Sequence, residues 1–169
     1  MLWNPWRGCH RCSDGCKFCY IHKGDRKKGI DTNLITLTKD YNKPIIKNQK
    51  GEFKLKGTSI VYVCFSSDFL IEEADSWRLE CYHMIKQRSD LQFLFLTKRI
   101  DRFMEVLPND WGNGYENVTV GVSVENQINV DQKLSIFKDL PIRHKNIICQ
   151  PLIERVSIEP YLKDIELVI

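Results

Sequence analysis

Apolar positions along this chain alternate between two periods. From Ser59 to Phe65 the run Ser-Ile-Val-Tyr-Val-Cys-Phe is almost continuously apolar and predicts a strand covered on both faces. Behind it, Ala74, Trp77, Cys81, Met84 and Ile85 recur at helical spacing within residues 72–88. Residues 91–96 predict a second buried strand, followed by Ile100, Phe103, Met104 and Leu107 in an i, i+3, i+4, i+7 stripe. A third strand is expected over 118–124, with Val130, Leu134 and Phe137 marking the helix behind it. A fourth spans 144–149, and 165–169 reads as a last strand with no helix after it. Strand then helix, repeated, predicts right-handed βαβ units and a parallel sheet within one α/β domain spanning 1–169. Periodicity leaves open whether that sheet stays open or curls into a barrel. The less regular stretches are 21–58, Lys-rich with one short strand near Leu34 to Leu37, and the Gly/Asn loop 108–116.

Composition narrows the class. At 169 residues, with 43% hydrophobic and 28% charged side chains, the chain is neither disordered nor fibrous. A net charge of +3 is too small to argue for a polyanionic partner by itself. The basic run Lys23, Arg26, Lys27 and Lys28 is expected to be a solvated loop; it does little alone to support nucleic acid as a partner. No apolar run approaches the ~20 residues of a bilayer span. The start, Met1-Leu2-Trp3-Asn4-Pro5, lacks the features of a signal peptide, so no membrane and a cytoplasmic location are expected.

Cysteine usage is the anomaly. Of seven cysteines, four fall within eleven residues: Cys9, Cys12, Cys16 and Cys19. In a reducing compartment, clustered thiols hold metal more often than they form disulfides. Thiolates suit zinc, copper(I) and iron–sulfur clusters. The pairs Cys9/Cys12 and Cys16/Cys19 each have the two-residue gap of a zinc knuckle. Structural zinc pairs usually bracket about 12 or more residues, whereas three residues between pairs make a tight wrap better suited to a cluster. Cys64, Cys81 and Cys149 sit in apolar stretches and read as small core residues. Trp3, Trp6 and Tyr20 are expected to fill core beneath the cysteine loop. In parallel α/β folds ligands sit at the carboxyl ends of strands. The residues following each predicted strand are therefore candidates: Ser66, Ser67 and Asp68; Thr97, Lys98 and Arg99; Ser123, Glu125 and Asn126; and Gln150. Strand ends are also where helices are capped, and Asp68 and Asn126 fit that simpler role too.

The spacing Cys12-x3-Cys16-x2-Cys19, with Phe18 before the last cysteine, resembles the signature of radical S-adenosylmethionine (SAM) enzymes. A wider pattern runs nearly the length of the chain: Trp3-Asn4-Pro5-Trp6-Arg7-Gly8-Cys9, Gly15-Cys16-Lys17-Phe18-Cys19-Tyr20, Ser66-Ser67-Asp68-Phe69, Leu96-Thr97-Lys98-Arg99, Gly121-Val122-Ser123-Val124-Glu125-Asn126 and Gln150-Pro151-Leu152. It is similar to a phage- and bacteria-borne radical-SAM-like family of unknown function. The resemblance implies a partial (β/α) barrel of parallel strands. It also implies a 4Fe–4S cluster held by three thiolates, with one iron left for the amino and carboxylate groups of SAM. Reductive cleavage of SAM to a 5′-deoxyadenosyl radical would then start chemistry on an unknown substrate, fed by an electron donor such as flavodoxin or ferredoxin.

Carried over residue by residue, the resemblance makes Cys16 and Cys19 the firmest ligands. It sets Ser66, Ser67 and Asp68 where the SAM amino group is received, and Ser123, Glu125 and Asn126 where ribose or methionine is contacted. Lys98 or Arg99 would meet a carboxylate or an anionic substrate. Three departures bear on this. The family's usual Cys-x6-Cys-x2-Cys spacing selects Cys9 rather than Cys12, and both are present. Gln150-Pro151-Leu152 stands where the family has Glu-Pro-Leu. The chain also ends at Ile169, before a Gly-Gly-Glu-Ser-like turn found in relatives, as expected of an incomplete barrel or a truncated, inactive relative. If all four cysteines bind, no iron stays open, and the alternative is a non-catalytic four-cysteine zinc or iron–sulfur module.

Overall fold

In the computed structural model, which describes residues 1–57 and 60–169, the apolar runs become strands of one sheet. In chain order the elements are β1 (Leu2–Trp3), β2 (Trp6–Arg7), α1 (Tyr20–Lys27), β3 (Thr36–Leu37), β4 (Val61–Val63), α2 (Asp75–Gln87), β5 (Phe93–Thr97), β6 (Val118–Ser123), α3 (Gln127–Asn129), α4 (Ser135–Phe137), β7 (His144–Ile148) and β8 (Ile165–Val168). Six strands pair in the order β1-β4-β5-β6-β7-β8, every neighbour parallel. β2 and β3 form a separate antiparallel ribbon. Ser59, where the first long strand is predicted to start, lies outside the described residues.

The strand order never reverses. Right-handed crossovers that always step in one direction put their helices on one face of the sheet. Side chains in register on that face, including Val61, Val63, Phe93, Phe95, Val120 and Ile147, are buried. On the opposite face cover is uneven: Leu94 is half-buried and Tyr62 is 41% exposed on β5 and β4, whereas Gly121, Ser123, Asn146 and Ile148 of β6 and β7 are buried. The expected two-sided cover of the 59–65 strand therefore gives way to cover on one side. β4 is also shorter than its apolar run, because Cys64 turns the chain at φ 61°. β1 was not legible in the pattern. It is two residues long and is held by Tyr62 N–H donating to Met1 O (2.7 Å) and Cys64 N–H to Trp3 O (2.8 Å).

The helical stripe after β5 has a different geometry from the one its spacing predicts. Residues Ile100–Val106 form a 3-10 helix, whose period of three turns Ile100, Phe103 and Val106 inward and leaves Met104 57% exposed. Between α3 and α4, Val130–Leu134 widen into a π-turn.

Aromatic packing ties the N-terminal segment to the sheet. Trp6 stacks on Phe69 with centroids 5.4 Å apart, and Phe69 packs on Phe95 at 4.5 Å and edge-on to Tyr82 at 5.4 Å. Such pairs add about 0.5–1.5 kcal/mol each beyond burial of their area. Arg88, fully buried on the C-terminal side of α2, anchors the irregular 43–56 stretch. It donates to Leu55 O (2.6 Å) and forks onto Asp90 at 2.8 and 2.7 Å. Among the described residues no helix is long and apolar enough to cross a membrane.

Candidate functional site

The cysteine loop is pinned to the carboxyl end of β4 from both sides. Ser66 donates its hydroxyl to Trp6 O (2.7 Å) and its N–H to Asn4 Oδ1 (3.1 Å), while Ser67 donates its hydroxyl to Gly8 O. In return Gly8 N–H reaches Ser66 O (3.2 Å), and Cys9 N–H reaches Thr32 O (2.7 Å). Gly8 adopts φ +91°, and a Cβ there would run into Leu34 O and lie 2.9 Å from Thr32 O, so glycine is required. A 3-10 turn over Asp14–Phe18 then carries Cys16 inward, and α1 starts directly after Cys19. That turn lies against Glu125: a Cβ on Gly15 would be 2.6 Å from Glu125 Cγ and Oε1.

Loop and strand ends enclose a cavity of about 350 Å³. Cys9, Cys12, Cys16 and Cys19 line it together with Ser67, Asp68, Lys98, Arg99, Ser123 and Gln150, residues at or just beyond the carboxyl ends of β4, β5, β6 and β7. With Thr97, eleven of the fourteen candidate residues are thus gathered on one rim. Three are not in the lining. Ser66 is spent on the loop, as above. Asn126 caps α3 by accepting from Asn129 N–H (2.8 Å). Glu125 is fully buried behind the loop, accepting from the Ser13 hydroxyl (2.5 Å) and from Lys98 Nζ.

Asp68 organises the rim. Its Oδ1 accepts from Leu70 N–H (2.9 Å) and the Thr97 hydroxyl (2.8 Å), and its Oδ2 accepts from Lys98 N–H (2.9 Å) and faces Arg99 at 3.2 Å. Arg99 in turn donates to His10 O (2.7 Å) and lies 3.8 Å from Cys9 Sγ, so one guanidinium joins the strand end to the cysteine loop. Burial opposes the Arg99 charge, but Asp68 and the thiols of Cys12 and Cys9 hold its pKa above the ordinary value. The thiols themselves are unlike. Burial pushes Cys9 up to about 11, against the pull of Arg99. Cys16 is drawn down to about 4, chiefly by a hydrogen bond from the Cys12 thiol, with the Ser13 hydroxyl assisting and burial opposing. The same bond raises Cys12. With the four thiols placed as they are, Cys16 is the one that ionises first, with Cys12 as its donor.

Several residues of the site were not legible beforehand. Lys133 approaches Glu125 Oε2 at 3.7 Å from the π-turn, a register that no spacing announces. His22 lines the cavity with Nε2 buried and, among the described residues, unbonded; its place three residues after Cys19 on α1 was the available signal. Cys64, expected as plain core, is buried but also borders the cavity in a left-handed conformation that costs a non-glycine residue about 1–2 kcal/mol. Trp3 and Trp6 fill core as expected. Tyr20 does not: it is 64% exposed on the first turn of α1, with its hydroxyl donated to Phe65 O (2.6 Å) at the cavity mouth.

Soft donors are thus concentrated at one cavity, although among the described residues no group of three or more His, Cys, Asp or Glu side chains is placed to hold a metal ion. Loading this site would require the loop to draw its sulfurs together. Of the four, Cys12 is exposed, Cys9 and Cys19 are half-buried and Cys16 is buried. No curated protein and no solved structure matches the chain. One family model matches residues 1–169, the whole length, and the chain belongs to that family, described as Protein of unknown function (DUF5131).

Proposed function

We propose that this protein is a radical-SAM-type enzyme on a partial (β/α) barrel, with a 4Fe–4S cluster in the cysteine loop. The observation that carries the reading is the meeting of all four loop cysteines with Asp68, Arg99 and Ser123 around one cavity at the carboxyl ends of parallel strands. The unreversed strand order supports a barrel over a doubly wound sheet, which turns back at a switch point. Thiolates of Cys16 and Cys19, with Cys9 or Cys12 as the third, are the residues to hold the cluster; the reduced cluster supplies the electron that cleaves SAM homolytically. Ser123 and Lys98 face the space where a SAM molecule would lie. Arg99 contributes fixed positive charge between Asp68 and Cys9. Asp68 acts through its neighbours, because its oxygens are already committed to donors of the rim. Protein prepared without oxygen should be brown, carry about four iron and four sulfide per chain, and yield 5′-deoxyadenosine when reduced with SAM. Colourless, iron-free protein after reconstitution would overturn the reading.

The presence of all four loop cysteines in the lining of one cavity supports one further reading, a closed four-thiolate metal module without catalysis. In that case Cys9→Ala and Cys12→Ala lose metal equally. For an open cluster, one of the two variants keeps its iron.

A further inference from the structure

We infer that the surface beside the cavity binds a single-stranded polynucleotide and offers one unpaired base to the cavity mouth. Charge in this chain is divided unevenly. Residues 1–28 hold seven Lys and Arg against two Asp, whereas the remaining residues hold eighteen against twenty Asp and Glu. The excess is at the surface. Arg11, Lys23, Arg26, Lys27 and Lys28 are exposed and, among the described residues, none of them forms an ion pair. The one carboxylate of α1, Asp25, is buried and held by Arg7 at 2.7 Å, so it does not cancel the field outside. Uncompensated cations repel one another and are tolerated here at a cost that a polyanion would remove.

Aromatic rings interleave with these cations. Tyr20, Lys23 and Lys27 stand at i, i+3 and i+7 and share one face of α1, and Lys23 Nζ lies 5.8 Å from the centre of the Phe18 ring. Phe18, 54% exposed, and Tyr20 both border the cavity. The strip therefore leads from two open rings at the mouth along a row of phosphate-binding groups. Rings so placed stack on unpaired bases and have nothing to grip on a closed duplex. Chemistry on a base likewise requires that it leave the stack, and a cavity of about 350 Å³ walled in part by Leu96, Ile148, Lys98 and Arg99 is suited to receive it. An anionic membrane is the poorer match, since Ile21 is the sole aliphatic side chain of α1 and is half-buried, leaving no apolar face to embed. That the strand is the substrate rests on the enzymatic reading above; that it binds does not.

The test is fluorescence anisotropy on the full-length protein as purified, without reductant or SAM, so that failure to bind and failure to cleave SAM are separate results. The probes are labelled oligo-dT and oligo-rU of about twelve nucleotides, the matching duplex, and phosphatidylglycerol vesicles. Binding to a single strand should weaken with salt, with a log–log slope of about −3 for four phosphates neutralised. Phe18→Ala should weaken it about tenfold. The double variant Lys23→Glu/Lys27→Glu should weaken it further and flatten the slope by about 1.4. Lys138→Glu, an exposed charge of α4's C-cap, should leave it unchanged. A preference for dT or for rU names the strand as DNA or RNA. No single-strand binding at about 50 mM salt, tighter binding to duplex or to vesicles, or affinity indifferent to both Phe18→Ala and the double charge reversal would each overturn the proposal.

Discussion

Asp68→Asn removes one acceptor from the most heavily used carboxylate of the rim. Its side chain is 7% exposed and takes donors from Leu70 N–H, the Thr97 hydroxyl and Lys98 N–H at 2.8–2.9 Å, with Arg99 at 3.2 Å. An amide keeps a single acceptor oxygen. Whichever way it turns, its NH₂ group faces donors, and the half-buried guanidinium of Arg99 loses its anion. A hydrogen bond to a charged group is worth about 1.5–3 kcal/mol, and stripping one partner from a buried ion pair costs about 3–5 kcal/mol. The two losses overlap, so the variant should be less stable by about 3–5 kcal/mol, a large share of the 5–15 kcal/mol typical of a domain. Urea denaturation followed by circular dichroism reads this directly, and the melting temperature should fall by about 10 °C for a chain of this size. Arg99→Gln should cost less, because Asp68 keeps its three other donors. A loss below about 1 kcal/mol in Asp68→Asn would refute the reasoning: the four contacts would not coexist, and Asp68 would be open to ligand.

Three further outcomes follow from the same geometry. Gly15→Ala would set a Cβ 2.6 Å from Glu125; because carbon contacts relax near 3.5 Å, the Cys16 turn must shift by about 1 Å, costing about 1–3 kcal/mol and, on the proposed reading, lowering iron uptake after reconstitution. Wild-type iron content in that variant would refute it. With no metal added, at about pH 6, iodoacetamide should label Cys16 well before Cys9, since one thiol is drawn down to about 4 and the other pushed up to about 11; equal rates for these two by peptide mass analysis would refute this. The Cys16 thiol also carries a pH signature. Between about 4 and its ordinary 9.0 the folded state holds fewer protons than the unfolded one, so this group makes stability rise with pH across that window. Its contribution is lost as pH falls through about 4, and Cys12→Ala should narrow the window from below, raising its lower edge by removing the donor while the upper edge at 9.0 stays.

Legibility differed by element. Runs such as 118–124 and 91–96 announced their strands because a parallel sheet demands β-branched and aromatic residues in short blocks, and β6 (Val118–Ser123) and β5 (Phe93–Thr97) fall within two residues of those limits. The 100–107 stripe misled as to helix type: Ile100 and Phe103 satisfy both a 3.6 and a 3.0 period, and only packing chose Val106 over Met104 for burial. At the site, the cysteines and strand-end polar residues stood out by spacing. The roles of Ser66, Glu125 and Asn126 did not, because a strand-end hydroxyl, carboxylate or amide serves a ligand, a loop or a helix cap with the same chemistry.

The linear order of residues, by itself, determined that strands and helices alternate, that soft ligands crowd one short loop, and that positive charge collects beside them. Each is a property of neighbours along the chain. Tertiary structure decided which polar residues reach the cavity, that Asp68 is saturated by donors from β5's carboxyl end, and that Tyr20 faces outward rather than into the core. Those outcomes depend on distances between segments 30 to 90 residues apart, which are set only when the crossovers all wind the same way and bring the strand ends to one rim.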